Sequence, residues 1–141
     1  MFIIIASTQI LETPRLSAYI ARMITQIKFA SIAVADEDRA LDFYTKKLGF
    51  KVATDQEYGE GMRWIELKIG NAETRFVISK SMGKEPGGFQ PIVFQTDNVQ
   101  KTCEELKARG VELTQEPKAE SWGTSAMFKD SEGNLFVLSS K

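Results

Sequence analysis

The chain of 141 residues contains no histidine, and that absence excludes more than any other feature of its composition. Without imidazole there is no Cys-His or Ser-His dyad, and the usual borderline ligand for zinc, nickel or iron is missing. Cysteine is almost as scarce: Cys103 stands alone, so no internal disulfide forms, no CxxC pair suggests zinc, and a reducing cytoplasm is the expected compartment. Charge of either sign is not in excess, with 18 Lys and Arg against 19 Asp and Glu and a net charge of -1. No basic run offers a field for nucleic acid or anionic lipid, so neither is expected as a partner. Long hydrophobic runs are absent too. The opening "MFIIIASTQILETPRLSAYIARM" lacks a basic n-region, and its apolar stretch at residues 2–6 is too short for a signal core or a membrane span. Residues 1–22 are read as a non-targeting extension, either an extra strand and short helix or an appended segment.

What is present is a single expected domain over 23–141, since 43% hydrophobic and 26% charged positions suit a globular core. Helix signals occur twice. Asp36 is placed to cap "EDRALDFYTKKL", with Glu37 and Asp38 in the first turn, Lys46 and Lys47 in the last, and Gly49 at a left-handed C′ position. Asp97 is placed to cap "NVQKTCEELKAR", with Gln100 completing a capping box and Gly110 closing the helix, so both Asp-to-Gly intervals match. Leu41, Tyr44 and Leu48 share one helical face, as do Val99, Cys103 and Leu106, which makes Cys103 a small core residue.

A β-like run precedes each helix, "IKFASIAV" or "PIVFQT". Three alternating runs follow each glycine: "FKVAT", "RWIELKI" and "TRFVIS", then "VELTQ", "SAMFK" and "LFVLS". The last hairpins share turn signals at Gly70-Asn71 and Gly133-Asn134. The expected fold is α+β, two βαβββ modules over about 25–82 and 88–141.

With "VADEDRALDFYTKKLGF", "TDNVQKTCEELKARGVEL" and "WGTSAMFKDSEGNLFVL" in this order, the chain resembles the vicinal oxygen chelate superfamily of glyoxalase I, extradiol dioxygenases, fosfomycin-resistance enzymes and bleomycin-binding proteins. The resemblance implies a cavity between curled sheets, commonly completed by homodimerisation. It also implies metal ligands on the first and last strand of each module. By motif register these places hold Phe29, Ile78, Pro91 and Val137, and a slip of one residue gives Ala30, Val77, Ile92 and Phe136. None ligates a metal through its side chain. Glu66, Glu73 and Asp130 are the carboxylates a harder cation would use, but they show no ligand rhythm, and neither a metal nor another cofactor is expected.

Strand alternation places Ile65, Leu67 and Ile69 beneath the helices and Trp64, Glu66 and Lys68 on the cavity face. The expected ligand-binding set is Phe29, Trp64, Glu66, Phe76, Ile78, Val93, Gln95, Trp122 and Val137, with the indoles of Trp64 and Trp122 as stacking surfaces and Glu66 as the candidate for moving a proton. The loops "SMGKEPGGF" and "QEPKAESWGT" are the expected rims. The leading functional expectation is a homodimer that binds a small hydrophobic or aromatic molecule without a metal. The alternatives are a lyase, isomerase or dioxygenase of the same superfamily, and a non-catalytic dimerisation or regulatory module whose cavity would be filled.

Overall fold

The computed structural model describes residues 14–80 and 84–140; the apolar run at 2–6, any strand there, and positions 81–83 of the loop before the second module lie outside them. A first helix, α1 (Pro14–Met23), spaces Leu16, Tyr19, Ile20 and Met23 along one side, yet buries none of its residues. The first module then runs β1 (Phe29–Ala33), α2 (Glu37–Asp42) with a π-helical turn (Phe43–Lys47), β2 (Lys51–Gly59), β3 (Met62–Lys68) and β4 (Arg75–Ser79). The second runs β5 (Gly88–Gln95), α3 (Val99–Ala108), β6 (Glu112–Glu120), β7 (Gly123–Lys129) and β8 (Asn134–Ser139). Each module forms a four-stranded mixed sheet, ordered β1-β4-β3-β2 and β5-β8-β7-β6, with the first strand of each module parallel to its last.

Capping explains where the helices begin. Asp36 accepts from Arg39 N at 2.9 Å as expected. In the second module the cap is Asn98, which accepts from Lys101 N at 3.0 Å, and not Asp97. Two adjacent residues with side-chain acceptors satisfy the same pattern, and the backbone selects the one in extended conformation next to the first helical residue. With Asn98 as the cap, the interval to Gly110 is one residue shorter than from Asp36 to Gly49. α2 absorbs its extra residue in the π-turn, where Leu48 N reaches Phe43 O. That turn buries both Phe43 and Tyr44.

The helix-facing sides of the two sheets share one buried cluster. Phe76 of β4 meets Phe94 of β5 at 5.5 Å and Phe136 of β8 at 6.1 Å, and Tyr44 meets Phe76 at 5.0 Å. Ile65, Leu67 and Cys103 belong to this cluster, as their spacing predicts. Two polar clamps tie the modules. Tyr44 Oη donates to Asp130 Oδ2 at 2.6 Å, and Asn134 Nδ2 donates to Asp130 Oδ2 and Ala33 O. Glu132 accepts from Ala35 N, Asp36 N and the Arg39 guanidinium at 2.8–3.0 Å. Burial pushes the Tyr44 hydroxyl well above its ordinary value, and the Asp130 carboxylate adds to the shift. Burial opposes ionisation of Glu132, but the bonds from Arg39, Asp36 N, Ser131 and Ala35 N outweigh it and hold the carboxyl down to about 2.

Candidate functional site

The inner faces of the two sheets meet in the core, so each sheet keeps a second face outside it. On the first sheet, β1 presents Phe29, β3 presents Trp64 and Glu66, and β4 presents Arg75 and Val77; Ile65, Leu67, Phe76 and Ile78 point the other way. Phe29 meets Trp64 edge-on, with centroids 5.6 Å apart and planes at 78°. Trp64 Nε1 donates to Glu66 Oε2 at 2.7 Å, which fixes the indole through its polar edge and leaves its faces for apolar contact. Arg75 Nη1 lies 3.8 Å from Glu66 Oε1, and the Glu66 side chain is only 18% exposed. Trp64 also borders an open groove of about 340 Å³ with Gln56 and Tyr58, two β2 residues that strand alternation alone did not single out.

The expectation that Phe76 and Ile78 share this face does not hold. Both are fully buried in the core, paired across the sheet with Leu67 and Ile65. Alternation in "TRFVIS" sets Phe76 and Ile78 against Arg75 and Ser79, but the motif register turns that pair toward the cavity; the pairing with β3 puts it in the core. Val77, itself fully buried, is therefore the β4 residue on the side of the sheet that carries Glu66.

The second sheet repeats the plan. Val93 of β5 is paired with Val137 of β8, and Val137 with Met127 of β7, an outward apolar row in which Val93 is 61% exposed. Met127 occupies the place Glu66 holds in the first module, a correspondence visible only from the register. Gln95, at the end of β5, borders a cavity on the helix side and does not join Trp64. Trp122 lies in the β6–β7 turn, 59% exposed, and makes no ring contact with Phe29 or Trp64.

The places where the resemblance puts metal ligands hold Phe29, Val77, Pro91 and Val137 once β4 is in register. None offers a donor atom from its side chain. Among the described residues, no group of three or more His, Cys, Asp or Glu is arranged to hold a metal ion. The residues present do not fit the family's metal.

A sequence profile of the glyoxalase/bleomycin resistance protein/dioxygenase superfamily matches residues 26–138. The chain belongs to this superfamily. It is 40% identical over 118 residues to the uncharacterized protein YetH of Bacillus subtilis, covering 82% of this chain and 98% of YetH. Among solved structures, it resembles a superfamily member from Sphaerobacter thermophilus with 31% identity and a TM-score of 0.79, covering 84% of this chain and 99% of that one. It also resembles TnmS3, an antibiotic binding protein from Streptomyces sp. CB03234, with 33% identity and a TM-score of 0.76, over 84% and 97% of the two chains. The similarity to glyoxalase I from Zea mays, at 23% identity and a TM-score of 0.70, concerns the fold alone.

Proposed function

We propose that this superfamily member binds a small hydrophobic or aromatic molecule on the Phe29–Trp64–Glu66 face without a metal. The observation that carries the reading is the Phe29–Trp64 corner, an indole held by its Nε1 bond to Glu66 beside an open groove. A rigid aromatic surface that already has its polar atom satisfied offers contact area at little entropic cost. The antibiotic binding described for TnmS3 supports a binding role. Glu66 orients the site: one oxygen is engaged by Trp64 and the other faces Arg75, so a free general base is the less favoured role.

Each sheet keeps a face outside the core, so one chain offers two open halves. A homodimer that sets the Val93–Val137–Met127 row of one protomer over the Trp64 face of its partner closes the site, and we infer this arrangement.

The test is a titration with the fluorophore 1-anilinonaphthalene-8-sulfonate. Wild-type protein is expected to bind it and to show quenched tryptophan emission. Trp64→Ala, a half-buried site outside the core cluster, is expected to weaken binding about tenfold while the protein stays folded. Unchanged affinity in that variant would remove the site from consideration.

A further inference from the structure

Duplication gives the chain two seams between its modules, and only one of them is filled. Equivalent backbone bonds fix the correspondence. Val34 N donates to Ser79 O in the first module and Thr96 N to Ser139 O in the second; past the helices, Phe50 N reaches Tyr44 O and Val111 N reaches Leu106 O. Leu106 thus occupies the place of Tyr44. Likewise Ile69 occupies the place of Asp130, each lying two residues beyond the partner of Phe76 or Phe136.

In the first seam the Tyr44 ring crosses to Asp130 and fills the gap. In the second, Leu106 and Ile69 leave a cavity of about 230 Å³, walled by Phe50, Phe94 and Phe128. An apolar cavity of roughly 150 Å³ already admits benzene. The mouth carries Lys47, Arg109 and Glu105, an excess of one positive charge. Arg109 Nη1 donates to Lys47 O at 3.0 Å, which holds the guanidinium at the rim. Among the described residues, no carboxylate is ion-paired with Lys47 or Arg109.

We propose that this second seam binds a small monocyclic carboxylate of the arylalkanoate class, its ring taking the space that Tyr44 fills in the first seam and its carboxylate meeting Lys47 and Arg109. The site shares no lining residue with the Trp64 groove, so it stands or falls independently of the function proposed above.

The test uses 3-phenylpropanoate, with 3-phenylpropylamine and 3-phenylpropanol as cationic and neutral controls, read by methyl NMR shifts of Ile69, Leu106 and Leu138 in the intact chain. The anion is expected to bind about tenfold tighter than either control, and Trp64→Ala to leave its affinity unchanged. Leu106→Phe, which puts a ring into the cavity, is expected to abolish binding while keeping the unfolding midpoint. Should that variant fail to fold, the Lys47→Gln/Arg109→Gln pair at the rim decides, with an expected affinity loss of about tenfold. Absence of shifts with all three probes, equal affinity for the three, or retained binding in the rim variant would overturn the proposal.

Discussion

Glu132 illustrates how much one side chain contributes to joining the modules. Its carboxylate takes four bonds from the start of α2 and from Arg39, and its folded value of about 2 lies below the ordinary 4.5. A depressed carboxyl contributes stability that is present above the unfolded value and lost as pH falls through the folded one. The contribution, on the order of 2 kcal/mol once solvent screening of the half-exposed Arg39 is allowed for, therefore disappears between about pH 4.5 and 2. Urea unfolding across that window is expected to show a steeper loss in wild type than in Glu132→Gln; parallel curves would mean the clamp adds nothing. Neither this clamp nor the Tyr44–Asp130 bond was legible in the sequence. Their partners are 93 and 86 residues apart, and nothing local in "KDSEGN" or "DFYTKK" points from one to the other. Trp64 and Glu66 were legible, because strict alternation in "RWIELKI" has only one apolar phase.

At the scale of elements, the sequence revealed the order βαβββ twice, the closing glycines and the first cap. It missed the second cap and the π-turn. Both misses have one origin, since choosing Asp97 equalised two intervals that in fact differ by the residue the π-turn absorbs. The cap assignment makes a sharp prediction: Asn98→Ala loses the bond to Lys101 N and about 1 kcal/mol of stability, while Asp97→Ala stays within about 0.5 kcal/mol of wild type. Chemical denaturation of the two variants checks it, and the reverse order would reinstate Asp97. The face of β4 was missed for a different reason: its alternation sets Phe76 and Ile78 against Arg75 and Ser79, but the motif register pointed the other way.

For the whole molecule, the consequence of a core shared by both inner faces is that each outward face remains open. Val93 is the most exposed member of the apolar row on the second sheet, and a charge there adds little strain to the isolated chain. Val93→Glu is therefore expected to shift the protein from dimer to monomer in light scattering coupled to size exclusion, with its secondary structure unchanged. A wild-type protein that runs as a monomer would contradict the proposed pairing. Among the described residues, no helix is long and apolar enough to cross a membrane.

Metal independence is what separates the proposed binding on an aromatic face from metal-assisted chemistry. The direct measurement is the affinity for 1-anilinonaphthalene-8-sulfonate before and after exhaustive dialysis against EDTA, with the chelator then removed and zinc, nickel or manganese added back. The account predicts one affinity throughout, carried by Phe29, Trp64 and Glu66. Binding that vanishes with the chelator and returns with a metal would contradict it.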